Sequence, residues 1–159
     1  MTTLIDWVES QAQENLKFRI SCLDTILKDC NTTLTILLAG VGVTAAYAFK
    51  LLDSKSSETW LLFGVLGVCL YFLVLSGVLL YNCLSIEEIQ VPTNEPKNLY
   101  QIQFTVLEMR EGELKNIQSR IDKAATRNSK VADWLNIVRL LIILSPFIFV
   151  ISMVVGSCF

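Results

Sequence analysis

Three long runs without charged residues divide the chain. No Asp, Glu, Lys or Arg occurs at positions 31–49, 60–86 or 140–159. Each run is close to or above the roughly 20 apolar residues that an α-helix needs to cross a bilayer. We therefore predict an all-α integral membrane protein with three transmembrane helices. The predicted spans are residues 34–52, 60–81 and 135–155.

The amino-terminal region has the pattern of an amphipathic helix at residues 2–28. Its apolar residues recur at spacings of three and four, which places them on one helical face. They are Leu4, Val8, Ala12, Leu16, Ile20, Leu23 and Leu27. Such a helix either packs on another helix or lies in a membrane interface. Packing is favoured, because the polar face mixes both charge signs and interfacial helices favour Lys and Arg.

Residues 94–155 are predicted to form one long helix that starts in the cytosol and ends as the third span. Beyond Leu107 its apolar residues repeat every seven positions in two registers, as in helices that pack side by side. We call these positions the heptad seam: Leu114, Ile117, Ile121, Ala124, Asn128, Val131, Leu135 and Val138. The polar member, Asn128, is of the kind that fixes register and oligomer state. The seam could be filled by the chain's own amino-terminal helix, by other subunits, or by both.

The distribution of Lys and Arg predicts the orientation. Ten of them lie before the first span or between the second and third, and two lie on the opposite side. Because positive residues favour the cytosolic side, we place the amino terminus in the cytosol and the carboxyl terminus outside the cell inner membrane. The predicted segments are a cytosolic helix (1–30), a two-span hairpin (31–83), a cytosolic linker and heptad helix (84–133) and the third span (134–159).

Small residues recur in the first two spans. Gly40, Thr44 and Ala48 form a row in which every fourth residue is small, and such rows let helices approach closely in lipid. The row could serve packing within one chain, packing between subunits, or the lining of a narrow pore. In the second span Gly64, Gly67 and Gly77 again predict close helix contact.

Beside the seam lies a basic stripe formed by Arg120, Lys123, Arg127 and Lys130. Their spacing of three, four and three keeps them within roughly one quarter of the helix circumference. One interpretation is contact with anionic lipid head groups. The other is a site for an anion or a nucleic acid, because Arg120 should stand about 20 Å above the start of the span. No aromatic residue interleaves the stripe, so base stacking has little support.

Two residues of the third span are unusual. Arg139 lies about one turn into the span, where ionisable side chains face water or a bundle interior. It could reach back to the interface, or join a ring of arginines at a pore mouth. Pro146 removes a backbone hydrogen bond and is expected to kink the helix, which makes it a candidate gate. Gly40 and Thr44 are the other pore candidates.

Composition limits the possible functions. The chain of 159 residues is 53 % hydrophobic, has a net charge of -2, and contains no His and five scattered Cys. Without His or a CxxC pair a bound metal is not expected, and no cofactor is predicted. No paired carboxylates in the membrane and no nucleophile motif occur, so we do not expect an enzyme.

The order of elements resembles the SLATT-type small membrane proteins of bacterial conflict systems. The resemblance covers roughly Leu4 to Lys130, and the third span departs from the two-span pattern of that group. It implies a pore-forming effector that responds to nucleotide-type signals. It extends to effectors of the Hailong antiphage type, which implies gating by an oligonucleotide from a partner nucleotidyltransferase. On that resemblance the basic stripe would hold the ligand.

Two hypotheses follow. The first is a homo-oligomeric channel or pore, taken as a tetramer, whose activation depolarises the inner membrane. The second is a non-conducting membrane scaffold that recruits a soluble partner through its cytosolic helices. Conductance of the purified protein in bilayers separates them.

Overall fold

The computed structural model describes residues 4–53, 59–85 and 103–158, and every regular element within them is an α-helix. The helices are α1 (Leu4–Asp53), α2 (Thr59–Cys83), α3 (Val106–Ile143) and α4 (Ser145–Ser157). The predicted all-helical fold is therefore confirmed. Most of the cytosolic linker predicted at the start of the 84–133 segment, residues 86–102, lies outside the described residues.

Helix α1 joins two elements that the sequence pattern presents separately. The amphipathic helix predicted at residues 2–28 and the span predicted at 34–52 form one helix of 50 residues. In the polar junction the threonine hydroxyls find acceptors inside the helix. Thr32 donates to the carbonyl of Lys28 at 3.0 Å, and Thr33 to that of Asp29 at 2.8 Å. Bonds of this kind satisfy a hydroxyl without interrupting the backbone ladder.

Helix α3 begins later than predicted. Residues 94–102 of the predicted helix lie outside the described chain, and residues 103–105 are not helical. The start is set by a capping box, in which the Thr105 hydroxyl accepts from the Glu108 N–H at 3.3 Å. The Glu108 carboxylate in return accepts from the Thr105 N–H at 2.8 Å. This exchange satisfies two amide groups that have no partner inside the helix.

The kink predicted in the third span is present. Helices α3 and α4 are bent by 49° relative to each other, with the break at Leu144. Pro146 explains it, since proline lacks an N–H for the helical ladder and is tolerated in a first turn. Among the described helices, α1 and α2 are each long and apolar enough to cross a membrane, and the bent α3–α4 pair would make a third span.

The chain divides into two compact units. The first, here called the helix-pair unit, comprises residues 4–26 and 103–130 of the described chain. The second, the apolar unit, comprises residues 27–53, 59–85 and 131–158. Each unit contains stretches of α1 and α3, and α2 and α4 belong to the apolar unit alone.

Close approach of α4 to α2 dominates packing in the apolar unit. A Cβ built at Gly67 would lie 2.1 Å from Oγ of Ser152, and one at Gly156 would lie 2.6 Å from Cβ of Phe63. Only glycine allows this spacing. The close contact predicted for Gly67 is therefore found, whereas no atom lies within 4 Å of the Cβ position at Gly77.

Candidate functional site

The heptad seam of the helix-pair unit is filled by α1 of the same chain. Leu16 is fully buried and packs with Ile117, Ile121 and Ala124 of α3. Ala12 and Ile20 flank this cluster on α1. Of the alternatives that the sequence leaves open, filling by the chain's own amino-terminal helix is therefore the one observed here.

The two helices run parallel within this unit. Arg110 contacts Glu9 near one end of the pair, and Asn128 contacts Arg19 near the other. Residue numbers thus rise together on the two helices. The Nδ2 group of Asn128 donates to the Arg19 carbonyl at 2.8 Å, so Asn128 fixes the register of α3 against α1. Its role in an oligomer stays a prediction.

Arg110 links the start of α3 to the start of α1 through ion pairs. Its Nε donates to Oε1 of Glu9 at 2.7 Å and its guanidinium donates to Asp6 as well. The hydrogen bond to Glu9, followed by that to Asp6, raises the pKa of Arg110 above its ordinary value. A planar guanidinium that holds two carboxylates is more rigid than one ammonium group could be.

A shallow basic groove of about 610 Å³, wide open to solvent, runs along the outer side of α3 in the helix-pair unit and is lined by residues of this helix. Its lining holds four cationic groups and one carboxylate, together with two hydroxyls and an amide. These residues are Lys115, Gln118, Ser119, Asp122, Lys123, Thr126, Arg127 and Lys130. Gln118 donates to the Asp122 carboxylate at 2.8 Å. The groove can therefore hold an anion by charge and by hydrogen bonds.

The structure brings together three of the four residues predicted as the ligand site. Lys123, Arg127 and Lys130 line the groove, and Lys115 joins them. Arg120 does not line it and instead pairs with Glu113, the closest N–O distance being 3.8 Å. Arg120 lies nearer the buried side of the helix, since only 20 % of its side chain is exposed.

Arg139 pairs with Asp29 inside the apolar unit. The Nη2 group of Arg139 donates to Oδ2 of Asp29 at 3.1 Å. The pair joins α3 to α1 and leaves about half of each side chain exposed. This contact belongs to one chain, and an arginine ring at a pore mouth stays a prediction.

The row of small residues in α1 faces its own chain. A Cβ built at Gly40 would lie 2.8 Å from the Phe72 ring of α2, and Ala48 is buried. The Thr44 hydroxyl donates to the Gly40 carbonyl at 2.8 Å. These contacts are packing within one chain, and the pore role of Gly40 and Thr44 stays a prediction.

The break near Pro146 has a polar partner that the pattern did not reveal. The Tyr71 hydroxyl of α2 donates to the Leu141 carbonyl at 2.8 Å. The Leu141 carbonyl also accepts from the Leu144 N–H at 3.0 Å, so the Tyr71 hydroxyl is a second donor, which links α2 to the end of α3. Whether Pro146 acts as a gate stays a prediction.

Comparison with protein-family models, with curated proteins and with solved structures gives no match for this chain. The interpretation of its function therefore depends on its own residues.

Proposed function

We propose that the protein is a homo-oligomeric membrane channel or pore-forming effector, acting in bacterial antiphage defence. An anionic nucleotide or oligonucleotide controls it, and its opening depolarises the inner membrane. The proposal includes three spans, with the α3–α4 pair as the third, a cytosolic amino terminus and a tetrameric assembly. The resemblance to SLATT-type proteins supplies the biological setting.

One observation supports a mechanism in which ligand binding at the groove opens the channel. Helix α3 is unbroken from Val106 to Ile143, and it bears both the basic groove and Arg139. A ligand that alters the position or register of this helix at the groove acts on the same helix that continues into the apolar unit. Coupling of this kind needs an element with two arrangements that the ligand biases.

The chemistry of the groove favours phosphate over other anions. Four cations and one carboxylate leave an excess of three positive charges, and phosphate oxygens accept several charge-assisted hydrogen bonds at once. Binding by several cations releases several counterions, so affinity should fall steeply as salt rises.

The test uses the double variant Lys115→Glu/Lys123→Glu. Both side chains are exposed and line the groove, so their reversal should spare the fold. Lys17→Glu is the matched control, since Lys17 is exposed on α1 and does not line the groove. We expect the double variant to bind a fluorescent single-stranded oligonucleotide at least tenfold more weakly than the control.

A voltage-sensitive dye in expressing cells provides the second readout. The signal-dependent fall in membrane potential should disappear in the double variant and persist in Lys17→Glu. Equal binding and equal depolarisation in both variants would rule out the groove as the sensor. A purified protein that never conducts in bilayers would rule out the channel.

A scaffold is the second candidate, and one observation favours it. On the helix-pair unit Trp7 and Phe18 of α1 are exposed by 60 % and 64 %. Leu4 is exposed by 79 % as well, so its predicted place on the packing face with Leu16 is wrong. Large apolar side chains in this number on one helix face are typical of partner surfaces. If the protein recruits a partner, Trp7→Ser/Phe18→Ser should abolish function while leaving any conductance unchanged.

A further inference from the structure

Tyr71 lies at an unusual depth for a tyrosine of a membrane helix. It is the thirteenth of the 25 residues of α2 and therefore the central one. Tyrosines of membrane helices concentrate at the two interfaces, where water can satisfy the hydroxyl. At the centre of a span the hydroxyl needs an acceptor from the protein, and Tyr71 uses the Leu141 carbonyl at 2.8 Å.

The acceptor belongs to the break in the third span. The Leu141 carbonyl accepts from the Leu144 N–H, three positions on, whereas in a continuous α-helix it would accept from the N–H of Ser145. Straightening the span would therefore change both the direction and the partner of the carbonyl that Tyr71 holds. The hydrogen bond between Tyr71 and Leu141 is thus a contact of the bent form.

Helix α2 also holds the other side of the break. A Cβ built at Gly64 would lie 2.7 Å from Cγ of Met153, and one at Gly67 would lie 2.1 Å from Oγ of Ser152. Gly64, Gly67 and Tyr71 follow each other at spacings of three and four, which places them on one side of α2. One side of α2 therefore contacts both the last turn of α3 and helix α4.

We propose that the hydrogen bond from Tyr71 to Leu141, here called the latch, holds the third span bent and is released when the channel opens. The proposal deepens the role of Pro146 as a gate and rests on the proposed channel function. A ligand that moves α3 at the groove has to move the end of α3 against this bond. Helix α4 stays packed on α2 at the two glycines.

The variant Tyr71→Phe tests the latch, because it removes one hydroxyl and keeps the ring. Tyr81→Phe is the matched control, since it is the same change on the same helix at a side chain that is 80 % exposed. A hydrogen bond between helices in a membrane shifts an equilibrium about threefold on average and at most about 20-fold. In planar bilayers without added oligonucleotide, we expect the open probability of Tyr71→Phe to rise about threefold and that of Tyr81→Phe to stay at the wild-type value.

Fluorine-19 NMR in lipid nanodiscs follows the bend without any need for conductance. A trifluoromethyl probe is attached to Ile143→Cys, because Ile143 is 69 % exposed beside the break. The background replaces by serine the three native cysteines that are not buried: Cys22, Cys69 and Cys158. We expect Tyr71→Phe to raise the fraction of the released form about threefold, and Tyr81→Phe to leave it unchanged.

The two readouts separate failure of the latch from failure of the channel. Identical fluorine spectra of Tyr71→Phe and Tyr81→Phe overturn the latch, whatever the conductance. A changed spectrum of Tyr71→Phe in a protein that never conducts supports the latch on the bend and refutes the channel. Conductance with the same open probability in both variants leaves the channel standing and refutes the release of the latch on opening.

Discussion

Leu16 is the most direct test of how α1 fills the heptad seam. Its side chain is 0 % exposed and packs against Ile117, Ile121 and Ala124. Replacing a fully buried Leu by Ala removes transfer free energy and leaves a cavity, which together cost about 3 kcal/mol. If the helix pair opens as a local unit, Leu16→Ala should raise its opening equilibrium about 100-fold.

Hydrogen–deuterium exchange of the full-length protein in lipid nanodiscs measures this opening. Peptides covering residues 112–125 of α3 should exchange much faster in Leu16→Ala, because a local opening exposes their amides. Phe18→Ala is the matched control, since Phe18 is 64 % exposed two residues away. Its exchange rates should stay close to those of the wild type.

Two outcomes would refute this reasoning. Equal exchange in Leu16→Ala and Phe18→Ala would mean that the seam contact contributes little. Fast exchange in Ile117→Ala without an effect of Leu16→Ala would mean that another subunit fills the seam in the membrane.

Three further predictions concern helix ends and contacts. Thr105→Ala should cost about 1 kcal/mol at the start of α3, seen as faster exchange of the first-turn amides. The backbone and side-chain hydrogen bonds from Thr105 lower the pKa of Glu108 below its ordinary value. This stabilisation is therefore present above the ordinary pKa of a glutamate and is lost as the pH falls through the folded pKa. Circular dichroism between pH 6 and about pH 2 should show helix loss that is smaller in Glu108→Gln. Gly67→Leu should displace α4, because its Cβ alone would lie 2.1 Å from Oγ of Ser152, and the thermal transition in detergent should fall relative to the open site variant Gly77→Leu.

Periodicity in the sequence predicted the helices because burial has the same period as the backbone. The seven-residue repeat identified Ile117, Ile121 and Ala124 as one face, and all three are buried. A repeat indicates which side of a helix is buried, but it does not identify the partner that buries it. The partner helix therefore had to come from the structure.

The sequence pattern could not predict polar contacts between residues far apart in the chain. Asp29 and Arg139 are separated by 110 positions, and no local spacing connects them. Thr105 and Glu108 were different, since the order Thr-x-x-Glu before a helical run is a known start signal. That signal would have placed the start of α3 correctly, and the predicted start near residue 94 overlooked it.

Occupation of the seam by α1 also limits how copies can assemble. Ile117 and Leu16 already bury each other, so another copy cannot use this face of α3 without displacing α1 and exposing Leu16. The row of small residues that contains Gly40 is also already covered within the chain, because it packs against the Phe72 ring. An assembly that leaves both contacts intact must use surfaces that are exposed in one chain.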